Sequence, residues 1–225
     1  MIITIDGYAG SGKSSAARML AATLGFELMN TGAMYRATAF HLERHGIDIF
    51  AEGRDVVRIA ELVSDFHFDM TDVRIRLNGR DVTDSIDSEA MGRAASQVGK
   101  FGEVRTKLKA EQRRIAAGKA MICEGRDQGT AVFPDAPVKF FFTAAAETRA
   151  RRRAEQDGLD PKRDPAGFAK LVEQIVARDK QDEGRAIDPL KRAPDAVLLD
   201  TSELSLDEVV FRMTQVVNRC RSLAG

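Results

Sequence analysis

The sequence predicts an α/β fold in which a central five-stranded parallel sheet carries helices on both faces. The first observation is that short apolar segments alternate with longer segments of helical periodicity. The apolar segments, interpreted as strands, are residues 2–5, 26–29, 120–123, 138–142 and 197–199. The second observation is that the third and fourth segments are strongly apolar, as parallel strands buried on both faces are. The third is a glycine-rich loop that joins the first strand to the first helix.

This loop, GYAGSGKS at residues 7–14, fits the pattern G-x-x-x-x-G-K-[ST] at every fixed position. Its glycines allow successive backbone N–H groups to turn onto phosphate oxygens at the positive end of the following helix. We expect Lys13 to reach the β- and γ-phosphates, and Ser14 to help hold a Mg²⁺ ion that is bound mostly through nucleotide phosphates. The loop therefore predicts the three-layer P-loop NTPase fold and an ATP site. The residues assigned to this site are Gly7, Tyr8, Ala9, Gly10, Ser11, Gly12, Lys13, Ser14 and Ser15.

Composition narrows the class of partner. The 225 residues include 34 basic and 34 acidic side chains, so the formal net charge is zero. This balance argues against an extended nucleic-acid or membrane surface. Cys123 and Cys220 form neither a CxxC pair nor a disulfide framework, as expected in a reducing compartment. The N-terminus lacks a signal-peptide pattern and no apolar stretch approaches the length of a membrane span, so we expect a cytoplasmic protein.

One segment, residues 66–98, interrupts the alternation of strand and helix. Within it, residues 73–83 alternate apolar and charged side chains around Asn78-Gly79, a dipeptide typical of two-residue hairpin turns. We therefore predict an insertion with a small antiparallel sheet inside a single unit that covers the whole chain. The core of that unit is residues 1–65 and 99–225.

The remaining segments predict helices. The motif NTGAMYR opens a second helix that ends at about His45 and is closed by Gly46, and a third is predicted from Arg54 to about Phe66. Further helices are predicted at about residues 87–117, with a break at 99–102, and at 166–183 and 206–223. A basic helix with Arg149 and Arg151 to Arg153, followed by a loop up to Pro165, predicts a lid over residues 149–165.

Charged residues follow the strands at the edge where open α/β sheets bind ligands. Arg126 and Asp127 come directly after the strand at 120–123. Arg178, Asp182 and Arg185 are spaced i, i+4, i+7, which predicts that they share one helical face. Together with Arg36, on the second helix beside Thr31, these groups suit phosphoryl transfer onto a second phosphate. An acceptor phosphate is already anionic, so the protein needs to hold two polyanions rather than supply a strong base.

Several other classes lack their motifs. No asparagine begins an NKxD guanine-reading motif, and HRD and DFG loops are absent. Three alternatives stay open from the residues alone: another small P-loop kinase acting on UMP, AMP or a shikimate-like acceptor, a non-catalytic nucleotide-binding module, and an RNA-binding protein. Zero net charge and 6% aromatic residues argue against the last.

The motifs resemble those of the bacterial cytidylate kinase family over almost the whole chain. ITIDGYAGSGKSS, NTGAMYRA, AASQV, ICEGRDQGTAVFPDAPVKFF and RDKQDEGRAIDPL occur in that family's order. The resemblance implies a monomeric enzyme that uses ATP with Mg²⁺ to convert CMP and dCMP into CDP and dCDP. It implies an insertion on the acceptor-nucleotide side. Tyr8, Asn30 and Glu124 depart from the family pattern, and the acidic Mg²⁺ ligand is left open because only Asp6 and Asp127 end strands in a suitable place.

The resemblance also implies residue roles. Arg36, Arg126 and Arg185 would bind the acceptor phosphate beside Thr31, while Arg178 and Asp182 would hold the ribose hydroxyls. Ser96, Arg105 and Asp127 would read the cytosine. Arg152, on the predicted lid, would contact ATP. The groups expected to act in the transfer itself are Lys13, Arg126, Arg178, Arg185 and Asp127.

A physical reason supports the assignment of the base. Cytosine presents an amino donor beside ring N3 and carbonyl O2 acceptors, so it suits an acceptor such as Asp127 or Ser96 next to a donor such as Arg105. Uracil presents a carbonyl where cytosine has the amino group. A site of buried polar groups rejects this exchange because partners are left unpaired. The sequence therefore predicts a preference for CMP and dCMP over UMP.

Overall fold

The computed structural model describes residues 1–53, 55–71 and 73–224. Its central sheet has five parallel strands, as predicted. The strands are β1 (Ile2–Gly7), β2 (Glu27–Asn30), β6 (Met121–Gly125), β7 (Val138–Thr143) and β8 (Val197–Asp200). Their order across the sheet is β2-β6-β1-β7-β8, which the sequence did not predict. All five extend one or two residues beyond the predicted carboxyl end. This extension brings Gly7 and Gly125 into the sheet, so the loops after β1 and β6 begin side by side.

Helices cover both faces of this sheet. On one face, α1 (Lys13–Leu24) and α8 (Leu206–Ala224) share a core with Ile3 and Ile5 of β1. On the other face, Met29 of β2 and Cys123 of β6 belong to a second core shared with several helices. These are α2 (Thr31–Arg44), α3 (Val56–Ser64), α4 (Glu89–Val98) and α5 (Gly102–Ala116). Two further helices, α6 (Ala146–Gln156) and α7 (Pro165–Glu183), pack against each other.

The third helix is shorter than predicted. It begins at Val56, and the Asp55 carboxylate caps it by accepting the Arg58 N–H at 2.9 Å. The predicted start at Arg54 lies outside the described residues. Phe66, the predicted end, lies beyond the helix and is buried in the second core.

The small antiparallel sheet is present with three strands, β3 (Phe68–Met70), β4 (Ile75–Leu77) and β5 (Arg80–Asp81). Asn78 and Gly79 both have positive φ, 50° and 76°, as the predicted two-residue turn requires. Strand β3 is tied to α5, because the Phe68 N–H donates to Glu111 Oε2 at 3.1 Å and its carbonyl accepts from Arg114 Nη2 at 2.6 Å. The small sheet therefore shares a core with one face of the central sheet.

One sequence prediction about the acceptor side is wrong in detail. Helix α7 ends at Glu183 and is followed by Gly184, so Arg185 does not continue the helical face of Arg178 and Asp182. Arg185 nevertheless stays beside that face, because its Nε donates to the Asp182 carbonyl at 3.2 Å. Among the described residues, no helix combines the length and apolarity needed to cross a membrane.

Candidate active site

The glycine-rich loop lies between β1, β7 and the start of α1. Gly7 has φ +141°, and a Cβ there would lie 2.1 Å from the Phe142 carbonyl oxygen, so no other residue fits. Gly12 begins α1 with φ +88°. Ser14 and Ser15 are exposed on the first turn of α1. The loop therefore places a helix N-terminus at the carboxyl edge of the sheet, which is the geometry predicted for phosphate binding.

Lys13 is buried under this loop. Its Nζ donates to the Tyr8 carbonyl and to Ser11 Oγ at 3.4 Å. Burial holds the pKa of Lys13 well below its usual value, and repulsion from Arg126 adds to this, while Glu124 acts in the opposite direction. The charged ammonium is therefore poorly compensated, which favours an anion at this position.

Tyr8 connects the loop to α7. Its hydroxyl donates to Glu183 Oε1 at 2.6 Å, and this hydrogen bond raises the pKa of Tyr8 to about 12. The ring also lies against Arg149, whose guanidinium carbon is 5.2 Å from the ring centroid, and meets Phe141 edge-on. Tyr8, which departs from the family pattern, therefore joins the donor loop to the helix that carries Arg178 and Asp182.

Two arginines of the predicted lid contact the loop region in different ways. Arg149 is buried, forms a bidentate ion pair with Asp179 of α7, and donates to the Ala9 carbonyl at 3.2 Å. Arg152 donates to the Thr201 carbonyl at 2.6 Å and lies beside Gly12. Arg152 thus lies next to the phosphate loop, whereas Arg149 holds the loop from behind.

Four arginines gather on the acceptor side. Arg126 Nε donates to Asp182 Oδ2 at 2.9 Å, and Arg185 Nη2 lies 3.6 Å from Asp182 Oδ1. Burial lowers the pKa of Arg178 to about 10, and the neighbouring Arg126 contributes. Three buried nitrogens have no hydrogen-bond partner among the described residues, namely Arg36 Nε, Arg178 Nε and Arg185 Nη2. The cluster therefore has more cationic hydrogen-bond donors than protein acceptors.

Thr31 and Glu124 lie between the loop and this cluster. The Thr31 hydroxyl donates to the Glu124 carbonyl at 2.8 Å, while the preceding Asn30 caps α2 by accepting the Ala33 N–H at 3.0 Å. The Glu124 side chain is 4% exposed, and its Oε1 has no hydrogen-bond partner among the described residues. Asp6, by contrast, accepts the N–H groups of Gln128 and Gly129 at 2.8 and 2.7 Å.

The three residues assigned to the base lie on α4, α5 and the loop after β6. Arg105, only 1% exposed, pairs with Asp127 through Nη2. Burial raises the pKa of the Asp127 carboxyl, and Arg105 opposes that rise. Ser96 Oγ accepts from Gln181 Nε2 at 2.6 Å, so Ser96 is held by α7.

Sequence reasoning assigned no role to several residues that complete this pocket. The Tyr35 ring centroid lies 5.9 Å from the Arg105 guanidinium carbon, and Asp188 and Gln181 hydrogen-bond to Arg105 and Ser96. Tyr35 directly precedes Arg36 in NTGAMYR, so its position was a usable signal. Asp188 lies in the quoted motif RDKQDEGRAIDPL, but no local signal showed that it would reach Arg105, 83 residues away.

Comparison with known proteins identifies the family. A family model described as cytidylate kinase matches residues 3–219. The chain belongs to the cytidylate kinase family. It is 43% identical over 230 residues to a cytidylate kinase of Azotobacter vinelandii, covering 100% of this chain and 98% of that protein. A cytidylate kinase of Burkholderia vietnamiensis is 42% identical over 214 residues, covering 95% and 91%. The predicted enzyme class, a phosphotransferase of nucleoside monophosphates, is thereby confirmed.

Solved structures show the same fold at low sequence identity. A shikimate kinase from Bacteroides thetaiotaomicron matches this cytidylate kinase family member with a TM-score of 0.51 at 11% identity, covering 97% of this chain and 98% of that one. An uncharacterized protein from Eubacterium ventriosum matches with a TM-score of 0.54 at 13% identity, covering 97% and 98%. These similarities agree with the predicted fold of small P-loop kinases.

Proposed function

We propose that this protein transfers the γ-phosphoryl group of ATP to the phosphate of CMP or dCMP, in one direct in-line step that forms CDP or dCDP. The observation that carries the proposal is that the donor loop and a second cationic site both lie near Lys13. The donor loop contributes the N-terminus of α1, and the acceptor side contributes Arg36, Arg126, Arg178 and Arg185. Such a pair of sites holds two polyanions close together and spreads the charge that develops between them.

The residues act mainly by position and charge. Lys13, whose Nζ lies under the loop, would bridge the phosphates of donor and acceptor. Arg126 and Arg178 stabilise charge on the transferring group. Arg126 also binds Asp182, which we assign with Arg178 to the ribose hydroxyls. Arg36 and Arg185 bring further donors for the acceptor phosphate. No general base is required, because the acceptor phosphate is anionic at neutral pH.

A magnesium ion fits the residues present. Ser14 on the first turn of α1 and the unpartnered Oε1 of Glu124 would hold Mg²⁺ together with the phosphates of ATP. Asp6 and Asp127 suit this role less well, because their carboxylates bind backbone N–H groups and Arg105 respectively. When bound, the ion supplies positive charge that neutralises the phosphates. The Glu124 carboxylate also lies close enough to Lys13 to oppose the lowering of the Lys13 pKa. The negative charge of Glu124 therefore acts at the site of phosphoryl transfer.

Water must be kept away from ATP during transfer. We assign residues 149–165 as the lid. Helix α6 would be the fixed end about which the lid moves, because Arg149 anchors this helix to α7 and to the donor loop. The moving part would be the loop between Gln156 and Pro165, and Arg152 would follow onto the phosphates. We also propose a cytoplasmic monomer that acts in pyrimidine nucleotide metabolism.

The polar groups in the pocket assigned to the base support CMP as the acceptor. The pocket offers a buried carboxylate, a hydroxyl and a guanidinium from Asp127, Ser96 and Arg105, which matches the acceptor and donor pattern of cytosine. A coupled ADP-release assay with ATP, Mg²⁺ and CMP, dCMP, UMP, AMP or shikimate in turn tests this assignment. CMP and dCMP should give the highest kcat/KM. Equal turnover of UMP would contradict the base assignment, and no ADP release with any acceptor would favour a non-catalytic nucleotide-binding module.

A further inference from the structure

The Arg105 guanidinium is held at three points in the pocket assigned to the base. Its Nε donates to Asp188 Oδ2 at 3.1 Å, its Nη1 donates to the Gly99 carbonyl at 3.2 Å, and its Nη2 donates to Asp127 Oδ2. The side chain is 1% exposed, so these protein groups set its orientation. Two carboxylates therefore share one arginine, with Asp188 at Nε and Asp127 at Nη2.

The position of Asp188 is strongly determined by its surroundings. It has φ +46°, in the left-handed region that residues other than glycine seldom occupy. Its Oδ2 accepts a second hydrogen bond, from Lys109 Nζ at 2.8 Å. Two residues later, the Leu190 N–H donates to the Asp182 carbonyl at 2.8 Å and ties this loop to the end of α7. The loop after Arg185 thus delivers a carboxylate to Arg105 Nε, the nitrogen that a bidentate Asp127 would otherwise contact.

The negative charge of Asp188 explains its effect on the pairing of Arg105 with Asp127. Arginine binds a lone carboxylate through two parallel N–H···O bonds where geometry allows. Without Asp188, Asp127 would be the only carboxylate that contacts Arg105 among the residues the structure describes. Both Asp127 oxygens would then be drawn towards the guanidinium. The amino group of a cytosine would lose its acceptor.

We propose that Asp188 is a positioning residue for base specificity. By neutralising Arg105 from its Nε side, it leaves an oxygen of Asp127 available to the exocyclic amino group of a cytosine ring. This inference rests on the proposed function, since it concerns how the acceptor base is read. It assigns discrimination between CMP and UMP to a residue outside the set that faces the base.

The test is Asp188→Asn, which keeps the shape and removes the charge. We expect KM for CMP to rise about tenfold and the CMP to UMP ratio of kcat/KM to fall about tenfold, while kcat stays within about twofold. Asp188→Glu should restore part of the ratio. Asp195→Asn is the matched control, because Asp195 also accepts from a lysine, Lys139 at 2.7 Å, but precedes β8 at the opposite end of the sheet.

Three further measurements keep the outcome decisive. Asp188→Ser tests the same loss of charge if Asp188→Asn does not fold, and calorimetric binding of CMP and UMP without ATP gives the ratio independently of turnover. In protein that already carries Arg105→Met, adding Asp188→Asn should change the ratio no further. If the wild type is active and folded Asp188 variants keep its CMP to UMP ratio of kcat/KM, the role of Asp188 is overturned and the proposed function stands. A wild type that phosphorylates no nucleoside monophosphate overturns both.

Discussion

Arg149 of α6 and Asp179 of α7 form a buried bidentate ion pair directly behind the phosphate loop. The two N···O distances are 3.0 and 2.6 Å, and the same guanidinium donates to the Ala9 carbonyl of the loop. Asp179 is the neighbour of Arg178, which faces the acceptor side. Helix α7 therefore supports the donor loop with Asp179 and the acceptor site with the preceding Arg178.

Asp179→Asn should destabilise the protein and loosen the donor loop. Removing one partner leaves Arg149 buried and unpaired, so we expect the free energy of unfolding to fall by about 3 kcal/mol and KM for ATP to rise. Urea unfolding and ATP-dependent kinetics measure both effects. The control is Asp157→Asn at the exposed Arg153–Asp157 pair on α6, where we expect a change of about 0.5 kcal/mol or less. Equal losses in the two variants would show that the buried pair does not stabilise the fold.

Lys13→Ala should remove turnover and leave CMP binding largely intact. Lys13 lies in the donor loop, whereas the groups assigned to CMP lie on α2, α4, α5 and α7 and in the loops after β6 and α7, so only the transfer depends on its charge. We expect kcat to fall by about a thousandfold or more. Single-turnover kinetics and calorimetric CMP binding separate the two effects. Lys119→Ala, at an exposed ion pair before β6, is the control. Loss of CMP binding together with turnover would indicate a misfolded loop instead.

Glu124→Gln should weaken the response to magnesium. The change keeps the shape of a buried side chain whose Oε1 lacks a partner, and it removes the negative charge assigned to the ion. We expect the Mg²⁺ concentration for half-maximal rate at saturating ATP to rise about tenfold. Glu27→Gln, at the exposed pair with Lys119, serves as the control. An unchanged Mg²⁺ response in folded Glu124→Gln protein would exclude Glu124 from the metal site.

His41 should make stability depend on pH. Burial lowers the pKa of His41 from 6.5 to about 4, and the stacked His45 adds repulsion. The unfolded chain takes up the proton first, so the stability that His41 contributes is present above pH 6.5 and is lost as pH falls towards about 4.

Urea unfolding across this pH window measures the slope in wild type and in His41→Gln. We expect the substitution to reduce the slope. The control is His67→Gln, because the His67 side chain is 55% exposed and contacts Asp69 at the surface. A slope unchanged by His41→Gln would contradict the prediction, as would an NMR titration of His41 with a midpoint at its ordinary value.

The elements that local sequence specifies were predicted well. The Asn78-Gly79 turn has the two positive φ values that its residue types favour, and the alternation around it produced β4 and β5. Strand β3, of three residues, was not located individually within the insertion, because so short a segment carries little periodicity. The third helix was predicted to continue to Phe66 but ends at Ser64. Phe66 is held by burial in the core, and its place beyond the helix is not marked by a local stop signal.

Some residues of the candidate site were also located by local sequence, whereas others were not. Arg126 and Asp127 were placed by their position after an apolar strand, and Arg178 and Asp182 by helical spacing. The spacing failed at Arg185, because Gly184 ends α7 first. The assignment of Arg149 to a basic helix in the predicted lid could not foresee its pairing with Asp179, 30 residues away.

The sequence by itself determined the class of the fold, the phosphate loop and the identity of most charged groups around it. These features depend on residue type and spacing over short stretches, where periodicity and backbone freedom decide the outcome. Only the tertiary structure decided which charges are paired. Arg149 with Asp179, Arg105 with Asp188, and the unpartnered oxygen of Glu124 all result from contacts between distant segments. Burial strengthens such pairings. No local pattern predicts them, because the partners lie far apart in the sequence.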